Sequence, residues 1–375
     1  MAMRIAFLTN NRLPAREGIG RHVTEVARRL QARGHEIVVL ARGGPGSWQD
    51  AAVEGLHVRH YPHLPLKPVH HAVDRLPLQR WLDHGGDGAE LIHIHLPLFP
   101  PLRWHQPRIV TFHTPMLTDT AAIAEPGLHQ HLARLNARLF SRRYEQWHLD
   151  HASRVLAVSN QVRREIEAHY DARGRSIDVV ENGVDAGYFA FAPAAGRQPE
   201  ILFVGRLSYR KGLDRLIDAF AARGGSERLV LAGEGPLEPH LRRRVTALGL
   251  GERCEFAGFL GRGALRDRLQ RAALFVSPSD YEGFPLTLLE ALACGTPVVT
   301  TRTGPLVDRS ADFPVLAVDS TSEGLAAGIE QALAHPAEAA GRALAARRLV
   351  ESRYAWDRVV DALEAIYRQP ESLAA

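Results

Sequence analysis

Cysteine and lysine are both scarce in this 375-residue chain: two of the first, Cys254 and Cys294, and two of the second, Lys67 and Lys211. The cysteines are far apart and outside any metal-ligand spacing, which excludes a disulfide scaffold and a zinc knuckle. No run approaches the ~20 apolar residues needed to span a bilayer. The first residues, MAMRIAFLTNN, lack the basic head, long apolar core and small-residue cleavage site of a secretory signal, so a cytoplasmic location is expected. A net charge of +4 raises nucleic acid as a partner. The arginines are scattered among 42 acidic residues, however, and no aromatic-basic recognition motif accompanies them, so no nucleic-acid partner is expected.

At this length a single hydrophobic core stops growing, and two domains are expected. The first half alternates β-rich runs with helical patterns: RIAFLTN, EIVVLAR, LIHIHLP, RIVTFHT, VLAVS and IDVVENG are the strand candidates. Between the first two, Ile19, Val23, Val26, Ala27 and Leu30 recur at helical spacing. ILFVG, LVLAG, CEFAGF, LFVSPS, PVVTT and PVLAV repeat the pattern in the second half. Near-continuous apolar strands separated by helices indicate parallel sheets covered on both faces. The expected fold class is α/β, with two Rossmann-like, doubly wound parallel-sheet domains facing across a cleft. Periodicity stops in AFAPAAGRQP, read as a linker over 190–199 between an N-terminal domain, 1–189, and a C-terminal one, 200–351. The amphipathic end, about 352–375, is expected to cross back to the first domain.

In open parallel sheets, ligands bind beyond the carboxyl ends of the strands. There GRLSYRKG gathers Gly205, Arg206, Lys211 and Gly212 in one strand-to-helix connection. Glycine permits close backbone approach, arginine offers a planar fork of donors and lysine a compact charge, a set suited to pyrophosphate. The plain alternative is a solvated loop with two cations; a lysine in a chain that uses arginine almost everywhere argues for a selected geometry. The stretch DYEGFPLTLLEALACGTPVV places Glu282 and Glu290 around a second strand-to-helix turn. Gly283 gives close approach, Pro285 suits a first helical turn, and N–H groups around Phe284, Leu286 and Thr287 would point at an anion. With 283–290 helical, the two glutamates lie ~12 Å apart along the axis at ~1.5 Å per residue. That exceeds the ~5–9.5 Å of a glycosidase carboxylate pair. They are expected instead to hold the two ends of an elongated ligand with an anionic middle, such as a sugar joined through pyrophosphate to a ribose.

Taken together, these segments resemble the retaining glycosyltransferases of the family 4 type, whose architecture is called GT-B. The resemblance covers essentially the whole chain, through RHVTEVARRLQARGHEIVVL, FHTP, HASRVLAVS, ENGVD, VGRLSYRKG, LAGEGP and the two glutamates, seven residues between them, of YEGFPLTLLEALACGTPVV. It implies transfer of a sugar from a GDP- or UDP-linked donor to a hydroxyl of a glycan or lipid-linked acceptor, with retained configuration. The implied setting is cell-surface polysaccharide or glycolipid synthesis, with no cofactor and no metal. By the same resemblance Gly18, Gly205 and Gly233 line the donor, Arg206 and Lys211 bind its diphosphate, and Glu290 takes the ribose hydroxyls. Glu282 takes the transferred sugar with the Gly283 and Phe284 backbone, Pro285, Leu286 and Thr287 form the adjoining helix start, His113 of FHTP lies by the sugar, and Asn182 and Gly183 mark the last turn before the linker.

The chain also departs from that pattern. Glu17-Gly18, with Gly20 two residues on, stands where members carry a Gly-Gly pair. Gly304, Pro305 and Asp308 replace a common Gly-Gly and glutamate, and DFPVLAVDS replaces an apolar run ending in a Pro-Gly-Asp turn. A nicotinamide-dependent oxidoreductase is the rival enzyme class, but GIGRHV lacks the third glycine and EIVVLAR ends without the acidic residue that would meet a ribose. A non-catalytic nucleotide-sugar or glycan-binding protein on the same fold is the other rival; it would not need His113, Arg206, Lys211, Glu282 and Glu290 together. His93 and His95 share one face of a strand and could be half a metal site, yet no carboxylate or cysteine cluster completes it, so no metal is expected. Cys294 reads as a small buried residue. The segment 129–152 combines Leu132, Leu135, Leu139 and Phe140 with Arg134, Arg138, Arg142 and Arg143. An ordinary amphipathic helix packing its apolar face inward is the expected arrangement; peripheral contact with an anionic inner-membrane surface is the alternative.

Overall fold

The computed structural model describes residues 2–64, 70–122, 128–193 and 196–369; Lys67 lies outside them. The chain divides into two compact units, with main boundaries at Asn182–Gly183 and Ala355–Trp356, so that the residues from Trp356 onward belong with the N-terminal unit, while Ala122 groups with the second. Each unit is built on its own sheet.

The first unit contains β1 (Arg4–Thr9), β2 (Glu36–Arg42), β3 (Gln49–Val53), β4 (Leu56–Tyr61), β5 (Leu91–Leu96), β6 (Arg108–Phe112), β7 (Arg154–Ala157) and β8 (Ile177–Val179). They lie in the order β3-β4-β2-β1-β5-β6-β7-β8. All pairs are parallel except the edge hairpin β3–β4, which turns through Glu54 and Gly55, both at positive φ. The central strands are buried along their length, Ile5 to Leu8 and all of Leu91–Leu96 included, as expected for a sheet covered on both faces. Helix α1 (Gly18–Ala32) buries Val23, Val26, Ala27 and Leu30 on the predicted stripe, the valines and leucine contributing ~1.5–3 kcal/mol each for full burial. His22, Thr24 and Glu25 are buried as well, so its first turns are enclosed beyond what an apolar stripe requires.

The helix Trp356–Tyr367 closes this unit with Trp356, Val359, Val360, Leu363 and Ile366 inward. Its Asp361 meets Arg33 at 2.6 Å and its Glu364 meets His35 at 3.0 Å. The segment 129–152 contradicts the expected inward apolar face. Its buried stripe is Ala137, Ser141, Glu145, His148 and Leu149, at helical spacing, whereas Leu132, Leu135, Leu139 and Phe140 are 44–55% exposed. Small residues at Ala137 and Ser141 let the backbone approach the core, and Glu145 is accommodated by the Tyr170 hydroxyl at 2.5 Å and the Met116 N–H at 3.1 Å.

The second unit contains β9 (Gln198–Val204), β10 (Arg228–Ala232), β11 (Cys254–Gly258), β12 (Ala272–Ser277), β13 (Val298–Thr301) and β14 (Leu316–Val318). All are parallel, in the order β11-β10-β9-β12-β13-β14. Its core gathers Ile201, Phe203, Leu216, Phe220, Leu231, Leu274 and Ile329. Where the sequence suggests a linker over 190–199, the Ala192 N–H donates to Cys294 O at 3.0 Å and β9 already begins at Gln198. Cys294 itself is fully buried, in keeping with the structural reading of that residue.

Candidate functional site

In the second unit the loops at the carboxyl ends of β9, β10 and β12 interlock through glycine. The Gly205 N–H donates to Ala232 O at 2.9 Å, and the Leu207 N–H to Glu234 O at 3.0 Å. Gly233 sits at φ +140°, where an added Cβ would lie 1.9 Å from Gly205 O. A Cβ on Gly235 would lie 2.2 Å from Leu207 O, so both positions admit only glycine at this backbone separation. Gly212, left-handed at φ +64°, caps the helix Leu213–Arg223 with its Cα against Pro278 O, where a Cβ would come to 2.1 Å. This last approach brings the loop after β9 against the loop after β12, and the Asp280 N–H donates to Arg210 O at 2.8 Å.

The charged centre of these loops is a Lys211–Glu282 ion pair, with side chains only 13% and 10% exposed. The Ser279 hydroxyl donates to the same Glu282 oxygen at 2.7 Å. Burial by itself would raise the Glu282 carboxyl, but Lys211 and Arg210, with the hydrogen bonds from Lys211 and Ser279, outweigh it and hold the group below its ordinary range. Glu282 is therefore an anion, and one face of Lys211 is committed to it. Arg206 is exposed on the same loop. The arrangement can present two cations and a fixed carboxylate to a polar, anionic ligand.

The structure corrects the helical premise from which the spacing of the two glutamates was inferred. The helix begins at Leu286, and Pro285, at φ −74° and ψ 115°, is its N-cap and not part of its first turn. Residues 283–285 are loop, so the axial separation inferred from an unbroken helix does not apply. Glu290 lies inside the helix Leu286–Ala293 and is 6% exposed. The Leu286 and Thr287 N–H groups, which have no carbonyl four residues back within the helix, stand at its start beside Gly283 and Phe284. The Phe284 ring packs on Tyr354 at 5.7 Å, which fixes the loop from behind.

Gly18 and His113 are in the first unit. Gly18 is the first residue of α1 and is exposed. His113 follows β6, where its N–H donates to Leu96 O at 3.4 Å. Its ring is buried among histidines: His95 Nδ1 lies 3.1 Å from His113 Nε2, and the His22 and His113 rings meet edge to face with centroids 4.8 Å apart. Burial, reinforced by the neighbouring histidines, drives both His95 and His113 well below the usual imidazole range, so both rings are neutral. His95 Nε2 is buried and has no hydrogen-bond partner among the described residues. An orphaned lone pair is the lesser defect than an orphaned N–H, so the proton of His95 belongs on Nδ1, donated to His113 Nε2. His113 then carries its own proton on Nδ1, the nitrogen turned away from His95.

His22, His95 and His113 offer nitrogen atoms within 4.8 Å of one another, a set that could ligate a soft divalent cation. His93, paired with His95 by sequence spacing, is outside the set: Tyr367 OH and Thr111 Oγ1 each lie 2.7 Å from one of its ring nitrogens. His22 is the residue that sequence reasoning missed. Its only signal was a polar side chain inside the buried stripe of α1.

Residues 16–188 match the family described as Glycosyltransferase Family 4, and residues 188–369 match the one described as Glycosyl transferases group 1. Among curated proteins, the chain is 30% identical to a glycogen synthase of Mycobacterium tuberculosis, covering 94% of this chain and 93% of that one. It is 31% identical to a D-inositol 3-phosphate glycosyltransferase of Nocardiopsis dassonvillei, over 94% and 89% respectively. Among solved structures, a sucrose-phosphate synthase from Thermosynechococcus elongatus superposes with a TM-score of 0.82 at 21% identity, covering 98% of both chains, and shares the fold.

Proposed function

This chain belongs to glycosyltransferase family 4, with the GT-B fold, and on that premise we propose that it moves a hexosyl group from a GDP- or UDP-linked sugar to a hydroxyl of a glycan or lipid-linked acceptor with retention of anomeric configuration. The observation that carries the reading is the Lys211–Glu282 pair, set between glycine-built loops and a helix N-terminus in the second unit. Arg206, Lys211 and the Leu286 and Thr287 N–H groups bind the diphosphate, with Gly205, Gly233 and Gly283 allowing the ligand close to the backbone. Glu290 accepts from the ribose hydroxyls, and Glu282 from those of the sugar. His113 donates its Nδ1–H to a sugar hydroxyl.

In the reaction the bond from the anomeric carbon to the diphosphate oxygen breaks and the acceptor oxygen bonds to the same face of that carbon. The acceptor proton passes to the departing diphosphate. Glu282 is committed to Lys211 and Ser279, which leaves it as an orienting group and not a nucleophile. Catalysis then rests on cations placed where the leaving group gains charge, and Arg206 and Lys211 supply what a divalent metal supplies elsewhere.

Among the described residues no helix is long and apolar enough to cross a membrane. The outward Leu132, Leu135, Leu139 and Phe140, flanked by exposed Arg138, Arg142 and Arg143, support peripheral contact with an anionic membrane surface and hence a lipid-linked acceptor in cell-surface polysaccharide or glycolipid synthesis. A panel of UDP-, GDP- and ADP-sugars screened for thermal stabilisation tests the donor. One donor should raise the melting temperature in wild type and fail to do so in Arg206→Ala; stabilisation that is equal in both would refute the diphosphate assignment.

A further inference from the structure

His22 is enclosed by groups from four separate parts of the first unit. Its Nδ1 lies 2.8 Å from Asn182 Oδ1, its ring meets Trp356 edge to face at 5.5 Å, His95 at 5.3 Å and His113 at 4.8 Å. Asn182 is the last residue of this unit before the chain leaves it and Trp356 is the first on its return. The amide oxygen of Asn182 accepts, so the His22 proton is on Nδ1 and its Nε2 carries the lone pair. Burial keeps the ring neutral, its pKa lowered to about 4 despite the bond to Asn182. Gly20, two residues earlier in the helix, is pinned against Ala15, where a Cβ would come to 3.0 Å, so the start of α1 has little room to move the ring away.

His113 is thus held on two sides by different means. His95 fixes its Nε2 through a hydrogen bond; His22 blocks rotation of the ring by edge-to-face contact. We propose that His22 is a positioning residue for the transfer reaction, locked by Asn182 and Trp356, which fixes the plane of His113 and so preserves the His95 hydrogen bond that keeps its Nδ1–H toward the reacting sugar. This rests on the role given to His113 above. Sequence spacing could not show it, since His22 and Asn182 are 160 residues apart.

Two variants, His22→Asn and Asn182→Ala, test it in the full-length protein. Transfer rate, donor KM, nucleoside diphosphate affinity and the long-range proton–nitrogen spectrum of the imidazoles are read for each. Expected are a kcat loss of tenfold or more in both, nucleoside diphosphate affinity within twofold of wild type, and His113 ring signals that move from one tautomer toward the average of two. His22→Asn introduced into a His113→Ala background should cost little more. An unchanged kcat, or losses that multiply in the double variant, would overturn the proposal, because a merely structural histidine acts independently of His113. If His113→Ala itself leaves transfer intact, the role given to His113 fails. The spectrum still decides whether His22 holds His113 in the plane that keeps its tautomer: unmoved His113 signals in both variants reject it.

Discussion

Replacing Lys211 by methionine removes the cation of a buried pair while keeping the stem. Glu282 would be left with the Ser279 hydroxyl at 2.7 Å and the more distant Arg210 as its favourable neighbours. Breaking a fully buried pair costs ~3–5 kcal/mol; a carboxylate that keeps a hydrogen bond, a second cation and slight solvent contact should lose ~2–3 kcal/mol. For a unit of this size that is a fall of ~4–12 °C in its melting transition. Adding Glu282→Gln removes the stranded charge, so the double variant should recover most of the loss, giving a coupling of ~1–3 kcal/mol. The pH dependence has a fixed sign. In wild type the Glu282 carboxyl is held below its ordinary value of 4.5, so its contribution is complete above that value and fades as pH falls through the lowered one. In Lys211→Met burial is opposed only weakly and the carboxyl rises, so the native unit gains by protonating it. The stability gap between wild type and variant should therefore narrow from pH 7 to pH 5. Calorimetry of the single and double variants at both pH values measures this. A gap independent of pH, or a double variant no more stable than the single, would refute the reasoning.

Arg206 is exposed, so Arg206→Ala should change stability by less than ~0.5 kcal/mol while transfer falls ~100-fold or more, at the scale of losing a transition-state charge donor; a melting curve and a transfer assay separate the two. Lys211→Ala should weaken nucleoside diphosphate binding by ~1.5–3 kcal/mol, read by titration calorimetry. Acid should destabilise the first unit. His22 is held neutral to about 4 against an ordinary 6.5, so its contribution is complete above 6.5 and is lost as pH falls toward 4, on the order of 3 kcal/mol. Denaturation at pH 7 and pH 5 should show that loss reduced in His22→Asn. Leu139→Ser with Phe140→Ser should weaken sedimentation with anionic vesicles at low salt, and salt should weaken the wild-type contact.

The strands that are buried on both faces were legible as near-continuous apolar runs, LIHIHL and ILFV among them. The β3–β4 hairpin was not. QDAAV and LHVRHY sit at a sheet edge, carry polar and charged residues, and turn through Glu54-Gly55, where aspartate or asparagine would have been the usual sign of such a turn. Pro285 reads equally well as a first helical residue or as a cap, and only its ψ of 115° decides, which is why the premise of a helix from Gly283 failed. The outward stripe of 129–152 misled because hydrophobicity alone does not say which face packs; Ala137, Ser141 and Glu145 form the inward one. In the second unit, Gly205, Gly233, Lys211 and Glu282 were visible as residues with a shared chemistry, but the pairing of Lys211 with Glu282 spans 71 positions and appears only in the fold. His22 and Asn182, joined across 160 positions, gave still less sign of their association.

The central claim, a glycosyl transfer with retention driven by protein cations, is tested most directly by following the reaction by NMR with an α-linked nucleotide-sugar in the presence of excess chelator. The account predicts a product with the donor's α configuration, formed at the same rate with and without chelator. A β-linked product would contradict the retaining mechanism, and a rate abolished by chelator and restored by a divalent metal would contradict the role given to Arg206 and Lys211.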